Sequence, residues 1–115
     1  MPRLVTKLSA HDSELELLTR QAHNILPIPN IETIIANMIL YHHGHTTAQI
    51  DLTAVNPTHY YLIEHKTYPL GTKKAEKQLI AARKLIEQHQ LFTRPFGAGY
   101  FSHYDGFQWQ IKQLL

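Results

Sequence analysis

The sequence predicts a mixed α/β fold in the order α-β-β-β-α, followed by short strands. Three observations carry that expectation. Apolar residues recur at helical spacing in two stretches, one near the N-terminus and one after the middle of the chain. Between them lie three apolar segments rich in β-branched and aromatic residues, punctuated by Gly and Pro. After the second helical stretch come short β-like segments around Asp105-Gly106, a strong hairpin signal.

The first helix is expected over about residues 12–25. Asp12 or Ser13 can cap it by accepting backbone N–H bonds, and Leu15, Leu18, Ala22 and Ile25 form its apolar stripe. Pro27 and Pro29 forbid further helix. Residues 31–41 are apolar on both alternating faces and read as a buried strand, although Ala36, Met38 and Leu40 are also good helix formers. His43-Gly44-His45 reads as a turn, 48–55 as the second strand, Asn56-Pro57-Thr58 as a turn and 59–67 as the third strand. Pro69, Leu70 and Gly71 break that strand. Thr72 then caps a helix over about 73–89 with the stripe Ala75, Leu79, Ala82, Leu85 and Ile86. Residues 91–96 and 100–104 read as short strands around Gly97 and Gly99, and 107–111 as the last strand.

The 115 residues suffice for one domain with a modest core, and 43% apolar residues argue against disorder. The chain has no cysteine, which excludes disulfides and thiolate metal sites and fits a reducing compartment. No apolar run spans a bilayer, and the basic start Met1-Pro2-Arg3-Leu4-Val5-Thr6-Lys7 lacks the features of a signal peptide. A cytoplasmic protein without membrane contact is expected. The net charge is only +2, but Lys66, Lys73, Lys74, Lys77, Arg83 and Lys84 cluster, interrupted by Glu76. Such a cluster suits a polyanion, or is simply a solvated helix face.

Three residues stand out as chemistry. Asp51 lies in the middle of the second strand, and Glu64 and Lys66 near the end of the third. Residues two apart in a strand share a face, so Glu64 and Lys66 do, and Asp51 can join them with Gln49 and Thr53 as polar companions. Two carboxylates and an ammonium on an apolar sheet are costly unless compensated. A hard divalent cation such as Mg²⁺ resolves that cost, because it takes carboxylate oxygens, water and substrate phosphate together. The competing account is a buried ion triad in which Lys66 neutralises one carboxylate.

Asp51 followed by Glu64-His65-Lys66, on adjacent strands after an acidic first helix, resembles the PD-(D/E)xK nuclease superfamily. The stretch is most similar to its NERD-like branch and to the small archaeal Holliday-junction resolvases. The likeness spans about residues 12–88. Ile50 precedes Asp51, so the proline that names the motif is absent. The resemblance implies a restriction-endonuclease-like α-β-β-β-α core with a mixed sheet. It implies Asp51, Glu64 and the His65 backbone carbonyl as ligands of Mg²⁺ or Mn²⁺, and Lys66 as the catalytic lysine. It further suggests a glutamate on the first helix, for which Glu14, at the edge of the apolar stripe, is preferred to Glu16. It also suggests a glutamine on the second helix, Gln78. Glu14 as an ordinary N-terminal acid and Gln78 as a stripe-edge glutamine are the plain alternatives.

The function expected is metal-dependent endonucleolytic hydrolysis, structure-specific or nonspecific, and the resemblance implies DNA as substrate and a 5′-phosphate product. Lys73, Lys74, Lys77, Arg83 and Lys84 would hold backbone phosphates. The alternatives are a non-catalytic nucleic-acid-binding module on the same fold and a structural protein with a buried ion triad. A zinc site at His42, His43 and His45 lacks a fourth ligand at recognisable spacing. His103-Tyr104-Asp105 carries no nucleophile, and no spacing supports a Ser/His/Asp arrangement. Phe101, Tyr100, Phe107 and Trp109 read as core or interface. Apolar strand surface left over on so small a domain leads us to expect a homodimer.

Overall fold

The computed structural model describes residues 9–42 and 44–115, so the basic N-terminal run and His43, the first residue of the expected turn, lie outside the described residues. The described chain forms α1 (Ala10–Arg20), α2 (Ala22–Ile25), β1 (Thr33–His42), β2 (His45–Val55), β3 (Tyr60–His65), α3 (Thr72–Gln88), β4 (Phe96–Tyr104) and β5 (Trp109–Gln113). The strands make one sheet in the order β1-β2-β3-β4-β5. All neighbours are antiparallel except β3 and β4, which run parallel with α3 as the crossover between them. This is an α/β fold with a five-stranded mixed sheet and three helices among the described residues. No helix of the described residues is long and apolar enough to cross a membrane.

Each face of the sheet is covered by helix. Leu15, Leu18 and Ala22 pack with Leu52, Ala54, Ile63 and Ala98 on one face. Leu79, Ala82 and Ile86 of α3 pack with Ile50, Val55, Tyr60 and Leu62 on the other. The apolar stripes of the two helical stretches therefore bury as their spacing predicts.

Several local features differ from the sequence pattern. The first helix starts earlier, because Ser9, not Asp12 or Ser13, is the cap, its hydroxyl accepting from the Asp12 N–H at 3.1 Å. The added turn brings His11 into the helix. That helix also breaks at Gln21, leaving residues 22–25 as a separate turn of helix. Gly71, not Thr72, sits at the cap position of α3.

A further difference is β4, one continuous strand where two short ones at 91–96 and 100–104 were expected. Gly97 and Gly99 do not interrupt it. A Cβ at Gly97 would collide with the Tyr61 ring, and one at Gly99 would meet Leu115 at 3.3 Å. The glycines thus make room for a neighbour instead of a bend. The Asp105-Gly106 hairpin is present, with Asp105 Oδ1 accepting from the Phe107 and Gln108 amides, and the last strand begins at Trp109 instead of Phe107.

Candidate active site

Backbone pairing of β2 with β3 runs from Val55↔Tyr60 to Leu52↔Ile63. One residue further on, carboxylates take over the hydrogen bonding. The Asp51 N–H donates to Glu64 Oε1 at 3.1 Å, and the His65 N–H donates to Asp51 Oδ2 at 2.9 Å. On the far side of β2, Asn37 of β1 has a left-handed φ of 54°. Leu52 packs towards α1 and Ile50 towards α3, so β2 changes face across Asp51. The two strands open at this point, and the acids fill the opening. Of the polar companions expected beside Asp51, Gln49 is exposed, while Thr53 is buried with its hydroxyl on Met38 Sδ.

Lys66 follows β3 directly, and its N–H donates to the Ser102 carbonyl of β4 at 3.0 Å. Its Nζ donates to Gln78 Oε1 of α3 at 2.7 Å and stands 3.8 Å from Glu64 Oε2. The side chains of Glu64 and Lys66 are only 2% and 11% exposed, so these charges meet largely out of water. Burial first, and the Asp51 carboxylate second, push Glu64 up to about 8, against the pull of the Asp51 amide and of Lys66. Asp51, Glu64, Lys66 and Gln78 therefore converge.

Glu14 is placed differently. Its Oε1 lies 2.8 Å from His65 Nε2, on the α1 face of the sheet, while Glu16 pairs with Arg20 at the surface. Burial keeps the His65 imidazole below its ordinary value despite the Glu14 charge beside it. A neutral ring donates from Nε2 to the carboxylate, which leaves Nδ1 to accept from the Ser102 hydroxyl at 3.0 Å. One tautomer is thereby selected.

His11 joins the site unannounced by the sequence pattern. Its Nε2 lies 3.3 Å from Asp51 Oδ2 and 3.1 Å from the His65 carbonyl oxygen. Burial opposes a charge there, but the Asp51 carboxylate and hydrogen bonds to Asp12, Asp51 and His65 outweigh it and raise the imidazole above its ordinary value. The signal that could have found it is helical spacing: His11 and Glu14 are three apart and share a face once the helix starts at Ser9. His103 is buried, and its Nδ1 donates to the Lys66 carbonyl at 3.1 Å.

The basic residues divide. Lys73, Lys74 and Lys77 are exposed on the first turns of α3, just after Lys66, and Lys84 is exposed further along. Arg83 is engaged elsewhere, its Nε donating to Glu87 at 2.8 Å and its guanidinium lying 4.2 Å over the Phe96 ring.

The donors that could hold a cation are hard oxygens: the Asp51 and Glu64 carboxylates and the His65 carbonyl. Among the described residues no group of three or more His, Cys, Asp and Glu side chains stands ready as a metal cage. The main-chain carbonyl is therefore needed to complete an oxygen set. That donor chemistry fits Mg²⁺ or Mn²⁺, which accept two carboxylates with water and phosphate in the remaining positions.

No protein-family model, no curated protein and no solved structure matches this chain.

Proposed function

We propose that the protein is a Mg²⁺- or Mn²⁺-dependent endonuclease on a restriction-endonuclease-like core, hydrolysing phosphodiester bonds in DNA. The observation that carries the reading is the convergence of Asp51, Glu64 and Lys66 where β2 and β3 part, with Lys66 tied to Gln78. The order of helices and strands, and the parallel β3–β4 pair joined through α3, agree with such a core.

Asp51, Glu64 and the His65 carbonyl would hold the ion. A divalent cation there supplies charge neutralisation of the phosphate and activation of water. His11 Nε2 borders two of those oxygens and would neighbour an ion held by them. Lys66 is held by Gln78 through one N–H, leaving its others to steady the attacking water and the charge that develops on the phosphorus oxygens. Water adds to phosphorus as the P–O3′ bond breaks. The water's proton is released and the leaving oxygen takes one up, giving a 5′-phosphate and a 3′-hydroxyl. Lys73, Lys74 and Lys77, exposed beside Lys66, would hold flanking phosphates. Arg83, occupied by Glu87 and Phe96, is a weaker candidate for that task.

The test is cleavage of supercoiled, linear and branched DNA with Mg²⁺ or Mn²⁺, with chelator, and with Lys66→Ala and Glu64→Gln. Cutting should require metal and fall by about 10²–10³-fold or more in each variant. Folded wild-type protein that binds DNA without cutting it would point instead to a binding module. Cutting that survives both substitutions would remove these residues from the chemistry.

A further inference from the structure

His65 stands between Glu64 and Lys66, yet its side chain points the opposite way, towards α1. The imidazole is fully buried, at 0% exposure. Both ring nitrogens are bound, one to Ser102 of β4 and the other to Glu14 of α1, and the rings of His11 and Trp109 each lie 5.5 Å away. The main chain of the same residue faces the site. Its N–H holds Asp51 Oδ2, and its carbonyl accepts from His11. Every polar atom of residue 65 is therefore committed, to α1, β2 and β4.

A serine, an imidazole and a carboxylate in line suggest a nucleophile. Ser102 is 0% exposed, so no substrate can reach its hydroxyl, and the chain of bonds can only orient. As a source of stability it is a poor choice, since apolar side chains in place of the whole chain of bonds would fill the core as well. What the partners supply is direction. With both nitrogens anchored, the ring has one tautomer and one rotamer, and the backbone carrying it has little freedom to tilt.

We propose that Glu14, His65 and Ser102 form a positioning chain that fixes the peptide planes around His65, and through them the Asp51 carboxylate and the aim of the His65 carbonyl. Glu14 then acts through the imidazole and is a positioning residue, not a ligand. The activity consequences rest on the metal-nuclease reading above, but the positioning itself does not.

The test uses His65→Leu, His65→Gln, Glu14→Gln and Ser102→Ala. Readouts are hydrogen exchange of the residue-65 amide, Mn²⁺ binding by electron paramagnetic resonance, and kcat against KM on DNA. His65→Leu should melt somewhat below the wild type, because the buried Ser102 hydroxyl loses its partner, and in its folded state should lose amide protection, bind Mn²⁺ about 10–100-fold more weakly and lose kcat with KM unchanged. His65→Gln, which can still reach a partner, should recover part of each loss. Should His65→Leu fail to fold, Glu14→Gln and Ser102→Ala each remove one partner and should show smaller losses in the same direction. Unchanged amide protection and Mn²⁺ affinity in the folded variants would overturn the proposal. Wild-type protein that binds no Mn²⁺ would instead overturn the nuclease reading, and amide exchange would still decide the positioning chain.

Discussion

The two ends of the β2–β3 hairpin are built by different means. Near the turn, residues 52–55 pair with 60–63 backbone to backbone, and Leu52, Ala54, Leu62 and Ile63 are fully buried. Asn56 secures the turn, its Oδ1 accepting from the Thr58 and His59 amides and its side-chain N–H donating to the Pro29 carbonyl. At the open end the same strands are held apart by Asp51 and Glu64, whose carboxylates accept the bonds a neighbouring backbone would otherwise take. The closed end converts buried apolar area into stability. The open end keeps Glu64 where desolvation disfavours its charge, and a structure does that only at a cost. Apolar burial and the proposed site are thus separated along one hairpin by a few residues.

The most forceful way to break this comparison is to truncate the closed end. Leu62 shares a strand face with Glu64, two residues away, and is 0% exposed. Leu62→Ala should cost about 2–5 kcal/mol in urea unfolding, through lost burial and the cavity left behind. Glu64→Gln, which removes a charge but little volume, should leave the metal-free protein as stable as before or more so at pH 8. Equal losses from the two substitutions would mean that the acids are part of the scaffold and that no division exists.

A second effect, of intermediate size, is in pH. The folded value of Glu64 is about 8, against an ordinary 4.5, so between those values the folded state holds a proton that the unfolded state has released. Stability from the protonated acid is present in full below 4.5 and is lost as the pH rises through about 8. The metal-free wild type should therefore melt lower at pH 8.5 than at pH 5.5, by on the order of 10 °C. Glu64→Gln should flatten that slope without abolishing it, because His11, also raised, gives up its proton in the same direction. An unchanged slope in the variant would show that Glu64 is already ionised in the folded state.

The closed end was also the more readable end of the sequence. Period-two alternation and the stripes of α1 and α3 were enough to find the core, and alternation alone put Glu64 and Lys66 on one face. Gln78 was named through the family resemblance, and the partner that a polar residue on an apolar stripe needs is Lys66. What alternation could not show is that β2 changes face across Asp51, since a periodic reading assumes a regular strand, and Asn37 with its positive φ breaks the regularity from the neighbouring strand. His11 was hidden because Ser9, Asp12 and Ser13 are all competent caps, and only tertiary contacts choose among them. Gly97 and Gly99 were misread because glycine marks both a bend and a close approach, and nothing local tells which.

The smallest effect we expect is at Gly71, whose backbone φ of −83° would suit any residue. Its need is for space: an added Cβ would lie 2.8 Å from Lys66 Cγ and 2.9 Å from the Tyr68 ring. Tyr68 is 46% exposed and can swing aside, but the Lys66 stem is enclosed and must shift, drawing Nζ from its 2.7 Å bond to Gln78. On the proposed nuclease reading, Gly71→Ala should slow cutting by about 10-fold, since a misplacement of about 1 Å at a positioned group can cost about 10²-fold. Its melting temperature should fall less than that of Gly97→Ala, whose added Cβ meets its neighbour more closely still. Gly97→Ala, at the closed end, should do the reverse, forcing the Tyr61 ring away and lowering stability while the site keeps its geometry. Should Gly71→Ala cut at the wild-type rate with Lys66 measurably displaced, the Gln78–Lys66 bond would have no part in the reaction.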